Sequence, residues 1–310
     1  NEEQVWVNLT DPSNLVAVWR DFRLGYRRVG VGYTFDTGWT WTDYLFEGTP
    51  YYKDTDPALT VDRHGNFYIC ILNLEGDFDQ PNALVVAKSS DGGRTWSTPV
   101  KAVDSDGSTF EDKELIECDR TGGVRDGYLY ITWTRFSDNM TSCCIMCVHS
   151  ADGGQTWSQP VRVSESSAVQ WSVPVVGADG TLYVAWNDLD FSGIWIDKSS
   201  DGGLTFGTDR RIVSTYTTYD YINGDVLVFS YPAMAADVWE ASPYRGNLYI
   251  AYMDTSTAGS DYDIYFIKSE DGGATWSEPV RVNDDPLGNG ADQFHPWLFV
   301  DNQGTIHLVY

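Results

Sequence analysis

Two kinds of short stretch in this 310-residue chain gather side chains able to do chemistry. One kind leads into an apolar run: YYKDTDPAL from Tyr51, FEDKEL from Phe110, VQWSVP from Val169, FSYPAM from Phe229 and DQFHPWL from Asp292. The other kind leaves an apolar run: WRDFR from Trp19, NLE from Asn73, WTR from Trp133, WND from Trp186 and YMD from Tyr252. Neighbouring carboxyl groups can divide acid and base work between them, so Asp54, Asp56, Glu111 and Asp112 are candidates for a general acid or a nucleophile. Arg20 and Arg23 could grip an anionic group in bidentate fashion. Lys53, Lys113, Arg135, Asn187, Asp188 and His295 could bind substrate beside them, and the face of Trp171 could stack on a sugar ring. Aromatic faces, paired carboxylates and a few cations together suit a carbohydrate site.

Each of these residues also has a plain structural reading. Arg20 and Arg23 could pair with Asp21. The four carboxylates could cap turns or pair with Lys53 and Lys113, or hold calcium, whose ligands are oxygens. His295 could pack at a strand start, and Trp171 could seal a junction. Trp19, Trp133 and Trp186, each at the end of an apolar run, read as core.

The elements that must position these stretches recur. The turn KSSDGGRTWSTPV at Lys88 returns as HSADGGQTWSQPV at His149, KSSDGGLTFGTDR at Lys198 and KSEDGGATWSEPV at Lys268, about 50 to 70 residues apart. A worn copy, YTFDTGWTW, contains Asp36. Before each turn lies an alternating strand, such as ALVVAKSSD or DIYFIKSED. Before that lies another, such as NFYICILN, TLYVAWND or NLYIAYMD. Asp/Gly turns precede many of these, and a further short strand lies upstream. The unit is therefore four short strands, A to D, with the DGG turn between C and D. Helical periodicity is almost absent, so the chain is expected to be all-β. Six units are expected in one domain over 1–310: about 1–50, 51–103, 104–164, 165–214, 215–283 and 284–310. The sixth is partial, with only A and B strands.

In this turn the Asp oxygens can accept backbone N–H bonds, Gly supplies positive φ, and the aromatic residue covers the hairpin base. The pattern S-x-D-x-G-x-T-W, at Ser89, Ser150, Ser199 and Ser269, resembles the Asp box, or BNR repeat, of the sialidase-like β-propellers. The resemblance implies a six-bladed propeller of four-stranded antiparallel blades. It also implies that the boxes lie on the face opposite an active site, so Asp91, Asp152, Asp201 and Asp271 are not catalytic candidates. Active sialidases use an arginine triad, a Tyr–Glu pair and an Asp, with the first arginine in an F/Y-R-I-P stretch. No such stretch is present; GYRRVGVG lacks the Ile-Pro, and the triad does not transfer residue by residue.

Two readings follow. One is a secreted, sialidase-like glycoside hydrolase acting on terminal sugars of extracellular glycans, with no required cofactor. The other is a non-catalytic propeller that binds glycans or assembles with copies of itself through the open sixth blade. The formal net charge of −25 argues against nucleic acid and anionic membranes as partners. No apolar run is long enough to cross a bilayer. The chain starts at Asn1, as a processed form would, and an extracellular or periplasmic location is expected. Cys70, Cys118, Cys143, Cys144 and Cys147 could form one or two disulfides or stay as buried thiols.

Overall fold

The computed structural model describes residues 3–76, 80–137, 140–189, 193–216, 219–222, 224–255 and 261–310. Among them every regular element is a β-strand. The chain divides into two compact units, Asn1–Arg162 and Val163–Tyr310.

The first unit holds three four-stranded antiparallel sheets, each a simple up-and-down meander. The first sheet comprises β1 (Gln4–Asn8), β2 (Asp11–Asp21), β3 (Arg28–Thr34) and β4 (Thr42–Leu45). The second comprises β5 (Lys53–Val61), β6 (Phe67–Leu74), β7 (Asn82–Ser89) and β8 (Val100–Ser105). The third comprises β9 (Phe110–Cys118), β10 (Leu129–Ser137), β11 (Ser142–Ser150) and β12 (Val161–Arg162).

Strand FYICILNL is buried at all eight positions, as expected of a strand covered on both faces. One apolar cluster joins the first two sheets through Val16, Val31, Leu59 and Ile69. A second joins the next two through Leu72, Leu84, Ile116 and Trp133. Each such buried side chain contributes roughly 1.5–3 kcal/mol of transfer free energy.

The second unit holds two further sheets of the same form. One comprises β13 (Val169–Val176), β14 (Leu182–Asp188), β15 (Ile194–Ser199) and β16 (Arg210–Val213). A hairpin follows, β17 (Tyr219–Ile222) with β18 (Val226–Phe229). The other sheet comprises β19 (Ala233–Ala236), β20 (Leu248–Thr255), β21 (Tyr262–Ser269) and β22 (Val280–Arg281). Last comes a two-stranded sheet, β23 (Trp297–Val300) with β24 (Ile306–Val309).

These are the small four-stranded sheets of an all-β propeller, and among the described residues there are five of them, not six. The residues of the sixth expected unit form its A and B strands, β23 and β24. The β17–β18 hairpin belongs to no repeat. It folds because Ile222 and Val228 bury themselves against Met253, Tyr262 and Ile264.

The DGG turns share one set of bonds. In the first, the Asp91 carboxylate accepts the Ser89 hydroxyl at 2.8 Å, the Thr95 N–H at 3.0 Å and the Thr95 hydroxyl at 2.6 Å. Asp152, Asp201 and Asp271 repeat that set with their own Ser and Thr partners. Gly92 and Gly93 have φ of 76° and 88°, which a side chain would resist. These bonds hold the carboxylates ionised: Asp201 and Asp271 are drawn down to about 2.

All five cysteines are free thiols, four of them buried. Trp133 and Trp186 are fully buried, while Trp19 is half-buried and donates its indole N–H to Asp21 at 2.9 Å.

Candidate functional site

The first strands of successive sheets share one irregularity. In β5 the ladder pairs Thr55 with Leu72, then skips to Ala58 with Cys70, leaving Asp56 and Pro57 opposite a single residue. In β9 it pairs Asp112 with Thr134, then Leu115 with Thr132, leaving Lys113 and Glu114. In β13 it pairs Gln170 with Asn187, then Val173 with Ala185, leaving Trp171 and Ser172.

The first bulged residue is left-handed each time: φ is 48° at Asp56, 56° at Lys113 and 62° at Trp171. His295, two residues before the first paired residue of β23, has φ 50°. A bulge re-aims a side chain, and a non-glycine residue held at positive φ costs roughly 1–3 kcal/mol that the surroundings must supply. One backbone device thus presents an Asp, a Lys, a Trp and a His.

In the first unit the bulges bring charges together. Asp56 is ion-paired to Arg20, and Lys113 Nζ lies 3.4 Å from its other carboxylate oxygen. The Thr55 hydroxyl donates to Asp56 at 2.5 Å. Asp56 is buried while Arg20 and Lys113 are half-buried, so the cluster opens on the side of its cations. Asp112 is the neighbour of Lys113. Loss of water around its carboxyl pushes it up to about 6; the Lys113 ammonium pulls it down and the Asp56 charge raises it. Two carboxyl groups therefore sit near each other in different environments, one clamped by two cations and one lifted towards neutrality.

Two residues before each bulged residue of the first unit, Asp54 and Glu111 make ion pairs at matching strand positions. Asp54 is fully buried, bonded by Arg28 Nε at 2.8 Å and by Asn73 Nδ2 at 2.8 Å. Burial pushes its carboxyl up, against the bonds from Thr49, Arg28 and Asn73. Glu111, equally buried, takes Arg135 Nε at 2.9 Å, the Thr109 hydroxyl at 2.8 Å and the Trp133 indole N–H. Arg28 also donates to the Phe46 carbonyl at 2.5 Å, tying β3 to the segment before β5. These pairs fix the strands that carry the bulges.

Arg23 stands apart on the rim, bound to Asp21 at 2.8 Å and Asp43 at 2.7 Å. The bonds to these two carboxylates raise its already high pKa. Lys53 begins β5 opposite Leu74 and is half-buried.

In the second unit the same device collects aromatic rings. Trp171 is 7% exposed and tilts on Phe229 at 5.4 Å, so its face is covered. His295 stacks on Tyr231 at 5.4 Å and meets the edge of Phe294 at 5.5 Å. The Phe229 N–H points to His295 Nε2 at 3.4 Å. Asn187 is fully buried and donates to the Ser230 carbonyl, and Asp188 accepts the Trp195 indole N–H at 2.9 Å.

Two partners escaped the sequence reading. Arg28 meets Asp54 across 26 residues, and no local spacing announces that. Tyr26 stacks on Tyr52 at 4.8 Å, beside the start of β5; adjacent tyrosines in YY were the signal available. Among the described residues no three His, Cys, Asp or Glu side chains are grouped to hold a metal ion.

No protein-family model matches the chain, and no curated protein does. Solved structures do. A Hadza microbial sialidase matches with a TM-score of 0.67 and 19% identity, over 100% of this chain and 63% of that one. The chain thus spans under two thirds of that sialidase. The intramolecular trans-sialidase of Ruminococcus gnavus matches with a TM-score of 0.65 and 12% identity, over 99% of this chain and 89% of that one. An α-L-arabinofuranosidase of Fusarium graminearum matches with a TM-score of 0.63 and 12% identity, over 97% and 85%. At such identities the likeness is one of fold.

Proposed function

We propose, from the premise that this chain has the sialidase-like β-propeller fold, that it is a glycoside hydrolase acting on terminal sugars of extracellular glycans. The carrying observation is the pair Asp56 and Asp112. Asp112, lifted to about 6, is the proton donor to the leaving oxygen. Asp56, ion-paired to Arg20 and Lys113, is the partner carboxylate that stabilises developing positive charge on the sugar.

Asp54 and Glu111 act as positioning residues through Arg28 and Arg135. Arg20 and Lys113 are the cations that sugar hydroxyls would meet beside this pair. The kinship of fold with a sialidase, a trans-sialidase and an arabinofuranosidase supports a carbohydrate substrate. A secreted location suits such a substrate; among the described residues no helix is long and apolar enough to cross a membrane.

A panel of fluorogenic glycosides, sialosides and arabinofuranosides included, tests this reading. Release from at least one, lost in Asp112→Asn, supports it. No release from any member, with glycan binding retained, selects the second reading: a non-catalytic glycan-binding propeller. That reading is favoured by one observation, that Arg20 and Lys113 both already engage Asp56.

A further inference from the structure

One of the four DGG hairpins is rewritten, and a cavity lies where the rewriting falls. Three copies carry Trp, Ser, Pro and Val after the turn: Trp96, Ser97, Pro99 and Val100; Trp157, Ser158, Pro160 and Val161; Trp276, Ser277, Pro279 and Val280. The copy in the second unit's first sheet has Phe206, Gly207, Asp209 and Arg210. On the strand opposite, Ala87, Val148 and Ile267 give way to Asp197.

The changes compensate one another. Ser97, Ser158 and Ser277 each accept a backbone N–H with their hydroxyl, at 3.0, 3.0 and 3.1 Å. Gly207 has no hydroxyl, and Asp197 Oδ1 takes that N–H, from Lys198, at 2.7 Å. The same oxygen accepts the Gly207 N–H at 3.1 Å. A Cβ at Gly207 would lie 2.9 Å from it, so glycine and aspartate come as a pair.

This exchange leaves something over. Asp197 is 5% exposed, and its Oδ2 is buried with no hydrogen-bond partner. Arg210 reaches the next hairpin, donating to the carbonyls of Gly273 at 3.0 Å and Ala274 at 2.8 Å. Lys198 donates to the Gly272 carbonyl at 3.1 Å. Between these groups is a cavity of about 290 Å³, lined by Tyr183, Ile196, Asp197, Lys198, Thr208 and Arg210. Ligand pockets start at about 300 Å³, so this one is sized for a single ring.

Charge selects the guest. A cation would meet Lys198 and Arg210. An anion would meet Asp197, with Asp209 and Glu165, whose carboxylates each accept the other's backbone N–H at 2.8 Å, close enough to add their charge. A neutral molecule rich in hydroxyls suits a lining of both signs: its O–H can donate to the buried carboxylate oxygen, its oxygens can accept from the cations, and its C–H face can lie on Tyr183 and Ile196. We infer that this cavity is a second carbohydrate site, taking one neutral monosaccharide ring or the terminal ring of a glycan. It lies wholly within the second unit and stands whether or not the Asp56–Asp112 pair hydrolyses anything.

Saturation-transfer NMR with D-glucose, D-galactose and L-arabinose tests it on the full chain. Thr208, exposed at the cavity wall, is changed to Trp to plug it, and Asp112→Asn serves as the control outside it. Millimolar binding of at least one sugar by wild type and Asp112→Asn, weakened about tenfold by Thr208→Trp, is expected. Should Thr208→Trp fail to fold, Asp197→Asn and the sugar's position in soaked crystals carry the same test. Absence of binding by all three sugars, binding indifferent to both cavity variants, or binding abolished by Asp112→Asn overturns the inference.

Discussion

The DGG turn and the first-strand bulge are both repeated, but they repeat different things. The turn keeps its residues as well as its backbone: Ser, Asp, Gly and Thr recur because the side chains themselves make the bonds. The bulge keeps only its backbone. Asp56, Lys113 and Trp171 share a left-handed φ and differ in chemistry, and His295, just ahead of β23, has the same φ without a bulge. A structural device that relies on its side chains must conserve them along the chain. A device that presents side chains is free to vary them, so the same backbone gathers charges in the first unit and aromatic rings in the second.

Four experiments can break or sharpen this contrast. The largest effect on stability is expected at the ion pairs two residues before the bulges. Arg28→Ala leaves the Asp54 carboxylate buried without its ion pair, and the loss should be about 3–5 kcal/mol in denaturant unfolding. A much smaller loss would mean that the pair does not hold β5 in place.

Removing a turn carboxylate comes next. Asp91→Ala should cost about 1–2 kcal/mol, through bonds like those of a helix cap, and leave any glycosidase activity unchanged. A drop in activity with stability retained would put the turn in the chemistry.

The turns also set an acid limb. The Asp201 pKa is depressed in the folded protein to about 2, so its contribution is present above the ordinary carboxylate value near 3.8. That contribution is lost as pH falls from there through about 2. Thermal unfolding between those values should therefore depend less on pH in Asp201→Asn than in wild type; equal slopes would refute the assignment.

The smallest effect concerns the strain itself. Lys113→Gly and Lys113→Ala both remove the ammonium, but only Gly relieves the positive φ. Gly should therefore be the more stable of the two by about 1 kcal/mol. Equal stability would mean that the left-handed geometry carries no strain.

The same contrast explains what could be read from the residues alone. DGG spacing and alternating apolar runs marked the strands, because hydrogen bonding and burial at short range dictate both. The stretches YYKDTDP and FEDKEL were recognisable as chemistry-bearing, and the structure joins Asp56 to Lys113 between them. The bulge was not legible, since no residue type marks it. Nor could the roles of Asp54 and Glu111 be told from those of Asp56 and Asp112. All four are acids at strand starts, and only the pairing of Arg28 and Arg135 with the first two separates them. The β17–β18 hairpin was hidden because its alternation imitates a repeat strand. Asp197 carries no sequence signal of its own, because it lies one residue outside the pattern that the hairpin copies share.

The proposed hydrolysis needs Asp112 as its proton donor. The pH dependence of kcat/KM on a fluorogenic glycoside that the wild type cleaves tests this most directly. A donor must be protonated, so activity should fall as pH rises through about 6. Asp112→Asn should lose about 10²–10⁴-fold and with it that limb of the profile. An Asp112→Asn variant as active as wild type, or a profile flat across pH 6 in both, would contradict the account.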